Sequence, residues 1–254
     1  MKKHLVVLIL LVIFKAEAQT ASALAIADEF YKTGNYSKAI EGYMALSEIK
    51  YAFQIAKSYE AIGNSNESLR YYELGLKNDP ENQIALSKYG KLLSSTGQLI
   101  KADSVFADLI SLYPTNPNHF YERGVLAEKR NDSLALNYYL SATLFDINHQ
   151  NAIYKLARHW TTKRDFMAAG RFIERGLKAN PSSSRFLTLN ALVYYHSKSY
   201  HGAITAYEKL LTFNQSNTQL HENLADSYMN TLQFEKAIEQ LTICLLYTSP
   251  SPRD

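Results

Sequence analysis

Cysteine is almost absent from this chain, since Cys244 is the only one among 254 residues. A lone cysteine cannot form an intrachain disulfide, and it offers no cysteine-based metal site. The seven histidines do not replace it, because no two of them have the HExxH spacing of a zinc hydrolase on one helix. A glycine-rich phosphate loop and a nucleophile elbow are missing as well. We therefore predict that the chain is not an enzyme and that it binds no cofactor or metal ion.

Neither sign of charge is in clear excess. The chain has 27 lysines and arginines against 24 aspartates and glutamates, which gives a formal net charge of +3. Residues 1–18 contain three of those lysines and one of the glutamates, so the net charge without them is +1. A basic stripe of the kind that binds nucleic acid is not present. We expect no nucleic-acid partner.

Long apolar runs are also missing, with one exception at the N-terminus. Two lysines precede the apolar run Leu5–Phe14, and Ala16 and Ala18 supply the small residues of a cleavage site. A run of this length is too short to cross a bilayer as a helix. We predict that residues 1–18 are a signal peptide and that the protein is exported to the periplasm or the extracellular space. An uncleaved membrane anchor is the alternative.

The C-terminal end departs from the rest of the sequence. From Cys244 to Asp254 the chain reads CLLYTSPSPRD, a segment that holds two of the six prolines. It resembles one reading frame of a sequencing adapter, whereas a genuine tail rich in proline and serine is the alternative. We expect residues 244–254 to be non-native and the natural C-terminus to be missing from this sequence.

What the chain does contain is a repeat of about 34 residues. Small residues recur with steps of 29, 34, 34, 33, 34 and 34 residues, and a second row recurs with steps of 29, 34, 33, 34, 34 and 34 residues. The first row consists of Ala27, Ala56, Gly90, Gly124, Ala157, Ala191 and Ala225. The second row consists of Ala39, Ser68, Ala102, Ala135, Ala169, Ala203 and Ala237. A fixed period of this size predicts a solenoid of stacked structural units.

Residues 84–116 indicate what one repeat folds into. The segment Leu86–Leu93 has apolar residues at helical spacing, and Gly97 follows it as a residue suited to end a helix. A second segment, Leu99–Leu109, again shows helical spacing until Pro114 prevents its continuation. The pattern predicts two antiparallel helices joined by a short turn. Neither helix can bury its apolar face alone, so each hairpin must pack against the next.

Large residues alternate with the small ones. Four positions after each second-row residue lies a large residue, namely Tyr43, Tyr72, Phe106, Tyr139, Ile173, Tyr207 and Leu241. With the Gly34-Asn35-Tyr36 turn and the Asp79-Pro80 pair, this alternation resembles the tetratricopeptide repeat (TPR) family. The resemblance implies an all-α fold, a right-handed α-solenoid of about seven helical hairpins whose first helices line a groove for peptides or protein segments.

The solenoid is expected to span residues 19–243. Its repeats are expected near residues 20–48, 49–82, 83–116, 117–149, 150–183, 184–217 and 218–243. Two departures from the pattern stand out. The first step is five residues short, and the fourth repeat loses one residue near Asn131 and has Arg123 where an apolar residue is expected.

The candidate groove residues are first-helix positions on the face opposite the packing rows. They are Phe53, Lys57, Lys91, Tyr121, Tyr154, Arg158 and Tyr195. The three basic ones each follow a first-row small residue by one position, which favours an acidic peptide segment or a carboxylate as ligand. Val125 and Leu192 interrupt this series, and Asp226 opposes it. Ordinary solvated helix faces are the alternative interpretation.

These features predict an exported, non-enzymatic scaffold that binds a protein or peptide segment in its groove, with no membrane span in the present chain. A second hypothesis makes the chain the periplasmic sensory half of a longer membrane receptor, with a kinase or DNA-binding output module in the missing part. A third hypothesis places an enzyme domain in that missing part.

Overall fold

The computed structural model describes residues 20–248, with side chains described up to Leu245. The predicted signal peptide and residues 249–254 of the predicted non-native tail lie outside the described residues. Across residues 20–248 the chain forms helices and turns and no strand. Neighbouring helices pack against one another within residues 36–129 and within residues 135–248, which confirms the predicted all-α fold of helical hairpins.

Fourteen helices make up residues 20–248. They are α1 (residues 20–32), α2 (Tyr36–Ser47), α3 (Ala52–Ala61), α4 (Ser65–Asn78), α5 (Gln83–Ser95), α6 (Leu99–Leu112), α7 (Pro117–Lys129), α8 (Ala135–Phe145), α9 (Gln150–Thr162), α10 (Phe166–Ala179), α11 (Ser184–His196), α12 (Tyr200–Thr212), α13 (Thr218–Asn230) and α14 (Phe234–Thr248). Odd-numbered helices are the first helices of their hairpins, and even-numbered helices are the second ones.

The helices group into two compact units. Unit 1 ends at Asp132 and contains α1 to α7, whereas unit 2 begins at Ser133 and contains α8 to α14. The boundary falls inside the fourth repeat, where the sequence loses one residue. In unit 1, α2 packs on α3, α4 on α5 and α6 on α7, and in unit 2, α8 packs on α9, α10 on α11 and α12 on α13.

The two rows of small residues lie where helices approach closely. Ala27, Ala56, Ala157, Ala191 and Ala225 of the first row are fully buried, and so are Ala39, Ser68, Ala102, Ala169 and Ala203 of the second row. A large side chain at these positions would force the helices apart, because protein interiors are close-packed. The large residues four positions later are buried in the first six repeats, and only Leu241 of the seventh is substantially exposed.

Buried tyrosines place their hydroxyl groups against carboxylates. The Tyr43 hydroxyl donates to Asp28 Oδ1 at 2.6 Å, and the Tyr228 hydroxyl donates to Glu208 Oε1 at 2.7 Å. The hydroxyl of Tyr71 donates to Glu48. These bonds satisfy a polar group that would otherwise be costly to bury, so tyrosine can serve as a large core residue in these repeats.

Every hairpin turn contains one residue in the left-handed region of backbone conformation. Seven positions after each first-row small residue lie Gly34, Gly63, Gly97, Asn131, Arg164, Lys198 and Leu232, with φ values of 79°, 79°, 83°, 55°, 59°, 61° and 61°. The turn geometry is therefore the same in all seven repeats, although glycine supplies it only in the first three. The four non-glycine residues hold a conformation that L-amino acids adopt at a cost.

Candidate functional site

The seven predicted groove residues divide between the two units. Phe53, Lys57, Lys91 and Tyr121 lie on α3, α5 and α7 of unit 1, and Tyr154, Arg158 and Tyr195 lie on α9 and α11 of unit 2. All of these helices are first helices. The register of the repeat places the seven residues on equivalent faces of these helices, but the surroundings of each residue differ.

In unit 1, Phe53 is used for packing. Its ring centroid lies 6.4 Å from that of Tyr72, and a Cβ on Gly75 would lie only 2.6 Å from the Phe53 Cδ1 atom. The ring is therefore held between α3 and α4. Lys57, one turn later on α3, is half-buried. Of this pair, only Lys57 carries a charge that could meet a ligand.

Lys91 forms an ion pair between two first helices. Its Nζ atom lies 2.9 Å from Glu122 Oε1 on α7, and the Lys91 side chain remains about half exposed. Tyr121, half-buried, precedes this glutamate. The repeat pattern does not predict Glu122, whose carboxylate offsets part of the positive charge of Lys91. The face of unit 1 is therefore less basic than the row of lysines predicts.

The same two first helices hold a buried histidine. His119 on α7 is 2% exposed, and its Nε2 atom lies 3.0 Å from Gln83 Nε2 on α5. Among the described residues, its Nδ1 atom has no hydrogen-bond partner. Burial lowers the pKa of His119, and the positive charge of Lys91 lowers that pKa further. The histidine is thus held as a neutral ring between two first helices.

In unit 2, Tyr154 and Arg158 open into one cavity of about 630 Å³ between α9 and α11. Its lining also includes Thr161, Thr162, Arg164, Ser184, Arg185, Thr188, Leu189, Leu192, His196 and Gln215. The structure thus brings together two of the three predicted residues of this unit. The third, Tyr195, is not part of the lining.

Arg185 is held in this cavity by two contacts. Its guanidinium carbon lies 4.9 Å from the ring centroid of Tyr154, and its Nη1 atom donates to Asn151 Oδ1 at 3.0 Å. The Tyr154 ring in turn meets the buried ring of Phe186 edge-on, with centroids 5.9 Å apart. The stacking and the hydrogen bond fix one face of the guanidinium, so less entropy is lost when it binds a ligand.

The cavity is positive. Three arginines lie among its lining residues, and none of the described lining residues is a carboxylate. Burial lowers the pKa of His196, and the charge of Arg164 lowers that pKa further. Arginine guanidinium groups match carboxylates with paired hydrogen bonds. Leu189 and Leu192 add an apolar part to the lining.

Tyr195 is engaged elsewhere in unit 2. Its ring centroid lies 6.4 Å from that of Tyr200, and burial, together with a hydrogen bond to Asp226, raises the pKa of its hydroxyl. Asp226 is the residue that opposes the basic series in the sequence. Its carboxylate therefore serves an internal contact between α11 and α13.

The described residues contain no group of three or more histidine, cysteine, aspartate or glutamate side chains placed to hold a metal ion. The described helices also include none that is long and apolar enough to cross a membrane.

Family models describing the tetratricopeptide repeat match residues 49–82 and 154–218. A search of curated proteins finds no match. Among solved structures, the C-terminal part of a TPR repeat-containing protein from Cytophaga hutchinsonii is 17% identical, with a TM-score of 0.74, over 90% of this chain and 96% of that one. A TPR protein from Parabacteroides merdae is 17% identical, with a TM-score of 0.65, over 80% and 81% of the two chains. PilF from Pseudomonas aeruginosa is 14% identical, with a TM-score of 0.66, over 83% and 98%. At these identities the likeness establishes the fold.

Proposed function

Because this chain belongs to the tetratricopeptide repeat family, we propose that it is a non-enzymatic scaffold that binds a protein or peptide segment on its first helices. The observation that carries this proposal is the positive cavity of unit 2, which contains Tyr154 and Arg158. A repeat array presents surface rather than enclosing an active site, so a groove between first helices is where a partner would lie.

We propose further that the bound segment is acidic. The cavity of unit 2 supports this through the Arg164 and Arg185 side chains in its lining, since the described lining residues include arginines and no carboxylate. In unit 1, Lys57 contributes a half-buried charge, and Lys91 shares its charge with Glu122. We therefore expect unit 2 to provide most of the affinity.

A labelled peptide of alternating glutamate and leucine tests the proposal by fluorescence anisotropy. We expect binding that weakens as salt is raised, and no binding of the same peptide with glutamine in place of glutamate. Arg158→Glu and Arg185→Glu should each weaken binding by about tenfold or more, since a charge-assisted hydrogen bond contributes about 1.5–3 kcal/mol.

The matched control is Arg171→Glu, which makes the same change of charge on α10 outside the cavity lining. It should leave the affinity within about twofold, because an exposed charge outside the site is screened by solvent and salt. Equal affinity of both peptides, or equal loss from all three variants, would overturn the assignment of the cavity as the binding site.

We also propose that the scaffold is exported, on the basis of the signal-peptide pattern that ends at Ala18. Expression in a bacterium followed by osmotic shock should release a protein whose N-terminal residue is Gln19. Replacing Ala18 with arginine should block cleavage and leave a larger, membrane-associated precursor. Recovery of the unprocessed chain in the cytosol would contradict export.

A further inference from the structure

The cavity of unit 2 extends along two first helices. On α11 its lining begins at Ser184 and Arg185 and ends at His196. Arg185 and His196 are eleven positions apart in the sequence. At a helical rise of about 1.5 Å per residue, this separation is about 16 Å along the axis of α11. The cavity is therefore elongated and has two distinct ends.

A positive side chain stands at each end of the cavity. The Arg185 guanidinium lies against Tyr154 of α9 and donates to Asn151, which defines the first end. Arg164 lies just after α9 and lines the cavity together with His196. Burial lowers the pKa of His196, and the charge of Arg164 lowers that pKa further, so these two side chains lie near each other. We call the two places the Arg185 end and the Arg164 end.

The middle of the cavity separates these two charges. Helix α11 contributes one threonine and two leucines there, namely Thr188, Leu189 and Leu192. Arg158 on α9 is four positions from Tyr154 and six from Arg164, so it is nearer the Arg185 end. A single carboxylate can therefore bind at one end but cannot span the cavity. An extended chain covers about 3.3 Å per residue, so the distance of about 16 Å corresponds to about five residues.

We propose that the segment bound in this cavity is extended and carries two acidic side chains about five positions apart, one for Arg185 and one for Arg164. This proposal rests on the proposed function, in which unit 2 binds an acidic segment. A ligand that engages both ends gains affinity, because binding at the first end raises the effective concentration of its other acidic group at the second end.

Two labelled peptides of equal length and equal charge test this spacing by fluorescence anisotropy. Both consist of glycine and serine around two glutamates, and their ends are acetylated and amidated so that the termini carry no charge. The glutamates are adjacent in one peptide and five positions apart in the other. We expect the spaced peptide to bind about tenfold more tightly or better, since it alone reaches both ends. The two glutamates are alike, so the result does not depend on the direction in which the peptide runs.

Removing the charge at either end should abolish the preference for the spaced peptide. In Arg185→Gln and in Arg164→Gln only one end remains, so the two peptides should bind within about twofold of each other. Arg171→Gln, which makes the same change on α10 outside the cavity lining, should retain the preference. Arg164 and Arg185 are exposed, so circular dichroism should show unchanged helix content for both variants.

Equal affinity of the two peptides for the unmodified protein would overturn the proposal, and this comparison needs no variant. A preference for the spaced peptide that survives both Arg185→Gln and Arg164→Gln would also overturn it. If the peptide of alternating glutamate and leucine binds while the spacing has no effect, only the spacing proposal fails. If that peptide does not bind either, the proposed function fails with it.

Discussion

The ring of Phe186 on α11 occupies the space that a side chain on Gly176 of α10 would need. A Cβ atom built on Gly176 would lie 2.6 Å from the Phe186 Cδ1 atom, and Phe186 is fully buried. Three repeats earlier, Gly75 holds the same register on α4, but there the ring comes from Phe53 of its own hairpin. The space beside the glycine is thus filled by a phenylalanine ring in both units. In unit 2 the ring belongs to the following hairpin, and in unit 1 it belongs to the same hairpin as the glycine.

This contact predicts opposite outcomes for two glycines on one helix. Gly176→Ala should lower the free energy of unfolding by about 1–3 kcal/mol, because the rigid, buried ring of Phe186 cannot yield to the new methyl group. A Cβ on Gly170, also on α10, would meet no atom within 4 Å. Gly170→Ala should therefore raise the free energy of unfolding by about 0.5–1 kcal/mol, since alanine is the better helix former. Urea denaturation measures both values, and destabilisation by both substitutions would contradict this difference in packing between Gly170 and Gly176.

Much of this packing could be predicted from the sequence, because it depends on residue size at a fixed period. The buried alanine rows and the large residues that follow them by four positions are examples. The turns were harder to predict. A left-handed residue can be predicted where the turn contains a glycine, as at Gly34, Gly63 and Gly97. The same conformation occurs at Lys198 and Leu232, where the residue type does not indicate it. There the packing of the two helices imposes the turn, and local propensity is overridden.

Leu232 is the most unfavourable of these turn residues. Its φ is 61°, and the residue is 75% exposed. Burial of its side chain therefore does little to offset the cost of the left-handed conformation. Leu232→Gly should raise the free energy of unfolding by about 1 kcal/mol, because the left-handed conformation costs an L-residue about 1–2 kcal/mol and glycine loses more entropy on folding. The reverse change, Gly63→Ala, should lower it by a similar amount. Thermal and urea unfolding of both variants provide the check, and a destabilised Leu232→Gly protein would show that the leucine side chain matters more than its backbone.

The candidate site was only partly predictable for a different reason. Tyr154 and Arg158 follow from their register, but Arg185 does not, because its register position holds Ile84, Asn118 and Asn151 in preceding repeats. What makes Arg185 part of the cavity is its stacking on Tyr154, which needs the distance between two helices and not a sequence period. The ion pair between Lys91 and Glu122 escaped prediction for the same reason.

Because the buried tyrosine hydroxyls have raised pKa values, we expect the protein to lose stability at alkaline pH. Burial raises the pKa of Tyr71 to about 12, and its hydrogen bond to Glu48 adds to the effect. The pKa of an unfolded tyrosine is about 10. Because the folded value is the higher one, the stabilisation is fully present below pH 10 and is lost as the pH rises toward about 12. Urea denaturation across this range should show the decline, and Tyr71→Phe should make it shallower. An identical pH profile for the variant would exclude Tyr71 as a contributor.

Because the pKa of His119 is lowered, we expect the protein to lose stability at acidic pH as well. Its pKa is lowered by burial and by the charge of Lys91, so the folded protein favours the neutral ring. The stabilisation is therefore present above the unfolded histidine pKa of about 6.5 and is lost as the pH falls through the lower folded value. Unit 1 should unfold more readily as the pH falls below about 6.5. Amide hydrogen exchange of α5 and α7 measures this unfolding. His119→Gln, which cannot ionise and retains a polar group for Gln83, should flatten this dependence. His149→Gln in unit 2 is the control for a general effect of histidine removal, and flattening of the unit 1 profile by that change would rule out His119 as the cause.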